Sequence, residues 1–300
     1  MKRTLSASLL AALTLLAACG DTTSEADAGA SSSTTTAVES SAPQRIVSLS
    51  PTATEMLFAV GAGDQVVAVD SYSTFPADAP ITDLSAYEPN IEAISTYEPD
   101  LVVVDGTDPE LVSGLETLQI EVLEAPAAAT LEDTYDQLAE IGEVTGHEDE
   151  AAELVEQMQV DIEDILADLP ERAEPLTYFH ELDDMLYTVT SGTFIGELYS
   201  LAGLENIADP ADADGQAGGY PQLSAEFIVS ADPDLVFLAD TKCCKQTADT
   251  FAQRPGFAGL HAVTTGQVVE LDDDIASRWG PRVVDLLRAI ADAVQAVPAT

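Results

Sequence analysis

Positive charge, cysteine, histidine and long apolar runs are all scarce in this chain, and each shortage removes a class of function. Only 10 Lys and Arg stand against 54 Asp and Glu, a formal net charge of −44 over 300 residues. Such a surface repels nucleic acid and anionic lipid, so neither is expected as a partner, and the charge itself reads as a solubility or saline-habitat feature. The three histidines, His147, His180 and His261, lie far apart without ligand spacing. A protein-held metal needs converging His and carboxylate groups, so no resident metal or cofactor is expected. There is no Gly-x-Ser-x-Gly elbow and no phosphate-cradling loop, so a hydrolase or nucleotide-using enzyme lacks its parts, and the chain is not expected to be an enzyme. Beyond the N-terminus no stretch approaches the roughly 20 apolar residues that span a bilayer.

What is present begins with a basic pair, Lys2 and Arg3, followed by an uncharged, mostly apolar run over residues 5–18. It is short for a membrane span and reads as a secretory signal, residues 1–18. The sequence Leu16-Ala17-Ala18-Cys19-Gly20 resembles the bacterial lipobox. That resemblance implies acylation of Cys19 and an exported chain held to the outer face of the cell membrane through lipid alone. Loss of Lys2 and Arg3 with the signal takes the mature charge to about −46. Residues 19–43, rich in Ser, Thr, Ala and acid, form a flexible tether that cannot bury enough surface to fold. The remaining 257 or so residues suffice for two lobes with a real core.

One short pattern occurs twice in that body. Tyr87 precedes Glu92 and then Pro99-Asp100-Leu101-Val102; Tyr220 precedes Glu226 and then Pro233-Asp234-Leu235-Val236. Two lobes on one plan, each offering an aromatic and an acid at matched places, suggest a cleft that closes on a ligand and a pair of handles for a symmetric partner. Strands are expected at residues 45–49, 65–69, 101–104, 120–123, 176–179, 235–238 and 268–269. They alternate with helices at 54–60, 130–144, 193–201, 224–230 and 283–294, which predicts parallel sheets with helices on both faces. Residues 50–52 read as a break and residues 208–219 as a Gly- and Asp-rich loop. Leu154, Met158, Ile162, Ile165 and Leu169 recur at helical spacing, so residues 148–169 read as one long helix of ~33 Å. The expected architecture is α/β: two Rossmann-like lobes, residues 44–147 and 170–300, joined by that helix, with the ligand cleft between them.

Arg45-Ile46-Val47-Ser48-Leu49-Ser50-Pro51 with Thr54-Glu55, the loop Asp70-Ser71-Tyr72-Ser73-Thr74-Phe75-Pro76, the segment from Gly219 to Glu226, and Gly280-Pro281-Arg282 occur in order along the body. As a set they resemble the cobalamin and ferric-siderophore substrate-binding proteins of ABC importers, over residues 44 to about 297. The resemblance implies a bilobal clamp, acting as a monomer, that captures an iron chelate or a corrinoid and delivers it to a dimeric permease with its ATPase subunits. It places the ligand-stacking aromatics on Tyr72, Tyr87 and Tyr220, with Tyr at positions 87 and 220 where the corrinoid branch is expected to carry Trp. A flat aromatic stacks on any conjugated ring, and a phenol also ligates ferric iron in haem, so haem is the alternative cargo. The same resemblance assigns Glu92 and Glu226 to docking on permease arginines. Both also sit in first helical turns behind the caps Asn90 and Ser224, where the helix dipole favours an acid.

Arg278, in a chain with few cations, is a candidate for a ligand carboxylate or phosphate, with a surface ion pair as the alternative. Trp279, the only tryptophan, packs at the cleft or in the core. His180 ends the first strand of the second lobe, the end where α/β ligands bind, and is a candidate pocket wall or haem ligand. Cys243 and Cys244 are adjacent, between Lys242 and Lys245. Export favours a strained vicinal disulfide in that loop; two free thiols, made acidic by the lysines, or soft-metal ligation are the alternatives.

Overall fold

The computed structural model describes residues 42–106 and 108–298; the expected signal, the lipobox Cys19 and nearly all of the tether lie outside them. The first half runs β1 (Ile46–Ser48), α1 (Pro51–Ala59), β2 (Val66–Val69), α2 (Ile91–Ser95), β3 (Leu101–Val104), α3 (Pro109–Thr117), β4 (Glu121–Glu124) and α4 (Leu131–Thr145). Helix α5 (Glu148–Ala167) follows. The second half runs β5 (Thr177–Glu181), α6 (Phe194–Leu201), β6 (Glu205–Asn206), α7 (Ala225–Ala231), β7 (Leu235–Leu238), α8 (Ala248–Ala252), α9 (His261–Thr265), β8 (Val268–Glu270), α10 (Asp273–Ala276) and α11 (Val283–Ala296). Each half makes a four-stranded parallel sheet. Their orders, β2-β1-β3-β4 and β6-β5-β7-β8, are the same order written twice.

Period-two alternation in the strands divides the core. Ile46, Leu101 and Val103 of the first sheet and Tyr178, Leu235 and Phe237 of the second enter one shared cluster with Met56, Leu138, Leu198 and Leu287. Their neighbours in sequence face outward into separate clusters: Val47 and Val102 against Leu111 and Leu115, and Phe179 and Val236 against Ile228 and Phe251. Each of these large side chains is worth roughly 1.5–3 kcal/mol when fully buried. The two lobes therefore share their largest core. Within it, Met158 and Ile162 of α5 are buried, while Leu154, Ile165 and Leu169 pack partly against it.

The repeated Pro-Asp-Leu-Val has one structural job in both lobes. The Asp100 carboxylate accepts the backbone N–H groups of Gln44 and Arg45 at 2.8 and 2.9 Å, just before β1. The Asp234 carboxylate accepts from the Thr177 N–H and hydroxyl at 2.8 and 2.9 Å, at the start of β5. Two residues upstream of each, Glu98 and Asp232 both turn the chain at φ 48°. The motif is thus a strand-entry clip that pairs the first and third strands of each sheet.

Some boundaries differ from expectation for local reasons. Residues 50–52 open a helix instead of breaking the chain: the Ser50 hydroxyl accepts from Ala53 N–H at 3.2 Å and Pro51 occupies the first turn, where its missing N–H costs nothing. The long helix ends at Ala167, with Leu169 in the following turn. Inside the expected loop 208–219, Asp209–Asp212 forms a 3-10 turn.

Candidate ligand cleft

Parallel strands deliver their C-terminal ends to one edge of each sheet, and the loops leaving those ends carry the polar and aromatic residues. Contacts of Arg278, near the end of the second lobe, with Glu55 and with the loop after β2 show that these edges of the two sheets meet. In the first lobe, buried Asp70 follows β2, and its carboxylate accepts from the Ser73 N–H at 2.9 Å and the Ser73 hydroxyl at 2.6 Å. The Thr54 hydroxyl joins Ser73 to Ser48, at 3.0 and 2.8 Å. This buried hydroxyl chain fixes the loop whose tip is Tyr72, 56% exposed. The Tyr72 ring meets Tyr87 edge-on, with centroids 5.6 Å apart at 86°; Tyr87 is 82% exposed. Beside them a cavity of about 280 Å³ is lined by Leu49, Tyr87, Asp105 and Asp108 among others. Desolvation raises the Asp105 carboxyl above its ordinary range, and the nearby charge of Asp70 adds to the shift.

Tyr220 stands in the second lobe, half exposed, on a loop that is braced rather than free. The Thr190 N–H reaches the Gly219 carbonyl at 2.8 Å, the Gly219 N–H reaches the Asp212 carboxylate at 2.7 Å, and the Thr188 N–H reaches the Pro221 carbonyl at 3.0 Å. Gly219 lies at φ 90°, and a Cβ there would come within 2.6 Å of the Thr193 methyl, so the position excludes other residues.

The two motifs on either side of the resemblance prove to be one cluster. Glu55, with 2% of its side chain exposed, accepts from Arg278 Nη1 at 2.6 Å and Arg282 Nε at 2.8 Å. Arg278 also donates to Asp274 at 2.9 Å and to the Tyr72 carbonyl at 3.3 Å. Arg282 lies 4.2 Å from the centre of the Phe75 ring. A latch of ion pairs and cation–π contact therefore ties the second lobe to the first lobe's helix α1 and aromatic loop. Of the two readings of Arg278, the ion pair is the one seen, and it is buried rather than at the surface: the guanidinium is held by Glu55 and Asp274. Trp279 belongs to the same joint, donating from Nε1 to Gln137 at 3.0 Å while its carbonyl accepts from the Thr134 hydroxyl at 2.9 Å. The Glu197 carboxylate caps α4 at the Leu131 N–H, 2.9 Å away, adding a further contact between the lobes.

His180 is corrected more sharply. Its side chain is fully buried, with Nδ1 2.7 Å from the Tyr199 hydroxyl. Burial pushes its pKa down to about 3, so it stays neutral. The strand alternation turns it into the core with Tyr178, away from the cleft. The end of β5 instead presents Glu181, buried, which takes a two-pronged contact from Arg254 at 2.7 Å on each side. Asp240, after β7, is equally buried and neither of its carboxylate oxygens meets a donor. Burial raises Glu181 to about 7 and Asp240 to about 6; Arg254 offsets part of both shifts. With one guanidinium for two adjacent acids, the pair is best served by a proton held between them.

Cys243 and Cys244 are exposed with their sulfurs 2.7 Å apart, near enough to close as a disulfide on oxidation and to act together as a dithiol when reduced. For the reduced pair, the lysines do not acidify the thiols. Lys242 is bound to Asp272 and Asp274. Burial, the Cys244 sulfur and Asp273 together push the Cys243 thiol up to about 12. Glu92 and Glu226 are exposed at matched second positions of α2 and α7, behind the capping side chains of Asn90 and Ser224.

Neither the Glu55 latch nor the Glu181–Asp240–Arg254 cluster was identified from sequence. The usable signal was the shortage of cations: in so acidic a chain, each inward cation implies an acid to hold it. Among the described residues, Arg45 and Arg172 bind backbone carbonyls, Arg288 binds Asp285, and Lys245 alone has no partner.

Two lobes of one topology, each carrying exposed tyrosines on loops beyond its strands, define a bilobal solute-binding protein. The chain belongs to the periplasmic binding protein family, whose profile matches residues 46–275. It is 29% identical to the uncharacterized ABC transporter substrate-binding lipoprotein YvrC of Bacillus subtilis, over 96% of this chain and 95% of that one. It is 32% identical to a cobalamin-binding protein of Halobacterium salinarum, over 92% and 75% of the two chains. The solved periplasmic vitamin B12 binding protein BtuF of Vibrio cholerae superposes with a TM-score of 0.66 at 28% identity, over 84% of this chain and 97% of that one.

Proposed function

We propose that this chain is the extracytoplasmic solute-binding component of an ABC importer and that its cargo is a corrinoid. The observation that carries the reading is the character of the cleft: exposed Tyr72 and Tyr87 in contact, exposed Tyr220 on the other lobe, and cations already neutralised around them. A macrocycle rimmed by neutral amides stacks on such rings and donates to acids such as Asp105 and Asp108. Haem propionates and catecholate siderophores carry negative charge, and among the described residues Lys245 is the one cation left to meet it. Several relatives are named for cobalamin or vitamin B12, and several solved neighbours for haem. Ferric chelates and haem are the competing cargo, because exposed phenols also ligate ferric iron. The chain acts as a monomeric binder without catalysis, anchored through lipid on Cys19. Glu92 and Glu226 engage arginines of the permease dimer, whose ATPase subunits drive import.

The test is a fluorescence titration, reading Trp279 and the tyrosines, with cyanocobalamin, a ferric siderophore and haem in parallel, corrected for ligand absorbance. Saturable one-to-one binding of cyanocobalamin alone, weakened in Tyr220→Ala, is expected. Preference for haem or the siderophore overturns the corrinoid assignment while leaving the binding role. No saturable binding by any of them overturns both.

A further inference from the structure

The loop after β7 holds two thiols with more order than chance exposure requires. The Asp273 carboxylate accepts the N–H groups of Lys242 and Cys243 at 2.9 and 2.8 Å and the Thr241 hydroxyl at 2.9 Å. The Thr241 hydroxyl also reaches the Leu271 carbonyl at 2.7 Å. The Cys244 N–H is held by the Asp240 carbonyl at 3.2 Å, and Lys245 turns the chain at φ 56°. Lys242 is clamped between Asp272 and Asp274. The backbone on both sides of the pair is thus fixed before anything binds, and the two sulfurs sit together at the surface.

We propose that Cys243 and Cys244 form a chelating site for a trivalent thiophilic metalloid, of which an organic arsenic(III) centre is the simplest member. The choice of ligand follows from what the loop lacks. Among the described residues no group of three or more His, Cys, Asp or Glu is placed to hold a metal ion, so a four-coordinate divalent metal finds too few donors. An arsenic(III) centre needs two sulfurs and takes them as neutral thiols. The balance is R–As(OH)2 plus two S–H giving R–As(S)2 plus two waters. Two As–O and two S–H bonds break, two As–S and two O–H bonds form, each thiol proton leaves on a hydroxyl as water, and no oxidation state changes. The sulfurs move apart slightly to accept the centre, which the exposed side chains allow.

The test uses the whole chain carrying Cys19→Ser, reduced, with phenylarsine oxide as the probe and intact mass as the readout. One adduct per chain is expected, resistant to excess monothiol and stripped by a small vicinal dithiol. Cys243→Ser and Cys244→Ser are each expected to lose the monothiol-resistant adduct while keeping the fold by circular dichroism. Asp273→Asn, which loosens the backbone clamp, is expected to release the probe several-fold faster. No adduct, an adduct stripped by monothiol, or retention in either single-cysteine variant overturns the chelate. Unchanged release from Asp273→Asn overturns the claim that the loop is prearranged for it.

Discussion

Replacing Glu55 by Gln tests the latch with almost no change in volume. The carboxylate receives two guanidiniums, of Arg278 and Arg282, whose side chains are only 11% and 18% exposed. Gln keeps one acceptor oxygen but turns an amide donor toward an arginine; Arg278 retains Asp274, while Arg282 is left without a carboxylate. Breaking a buried pair in this way costs about 3–5 kcal/mol, because the remaining charge loses its partner without regaining water. For a body of this size that is a fall in melting temperature on the order of 10 °C. Urea unfolding followed by circular dichroism measures it, and the shared core predicts one transition for both lobes. Asp285→Asn, which removes the half-exposed partner of Arg288, is the internal control and is expected to cost no more than about 0.5 kcal/mol. The buried loss persists in high salt, where exposed pairs are screened. A loss under about 1 kcal/mol for Glu55→Gln, or equal losses for the two variants, refutes the reasoning.

Three further outcomes follow from other parts of the molecule. Glu181 and Asp240 bind protons more tightly folded than unfolded, so their burial lowers stability progressively as pH rises from about 4 through about 7, where both become charged; Asp240→Asn is expected to flatten that slope and to be more stable than the parent at pH 8 by about 1–3 kcal/mol in thermal or urea unfolding. Asp234→Ala removes the charged clip on β5 and is expected to cost about 1.5–3 kcal/mol, with the loss read by the same method. Glu92→Lys and Glu226→Lys are expected to leave cyanocobalamin binding within twofold of the parent while abolishing stimulation of a reconstituted permease ATPase; unchanged stimulation sinks the docking assignment.

The fold was legible because its signals are local and periodic. Alternating buried strands, the repeated Pro-Asp-Leu-Val and the helical stripe through Met158 and Ile162 each reflect backbone geometry that one segment carries by itself. The long-range pairs were not legible. Glu55 and Arg282 stand 227 residues apart in sequence, and nothing near either names the other. His180 was misplaced for a related reason. Strand position puts it near the cleft end, but period two decides which face it takes, and Tyr178 on the same face enters the core. The charge around the cysteines was misjudged because it was counted along the chain: Lys242 is adjacent in sequence, yet Asp272 and Asp274 reach it through space. The exposure of Tyr72, Tyr87 and Tyr220 agrees with their reading as loop residues, while the edge-on contact of Tyr72 with Tyr87 needed the long connection between β2 and α2 to fold back on itself.

Hydrogen–deuterium exchange with and without saturating cyanocobalamin reads the cleft on both lobes at once. A corrinoid held between the lobes predicts slowed exchange in the loop around Tyr72, in the segment around Tyr87 and in the loop around Tyr220, with the strand cores unchanged. Protection confined to one lobe, or found only away from these three tyrosines, contradicts a cargo gripped between the lobes.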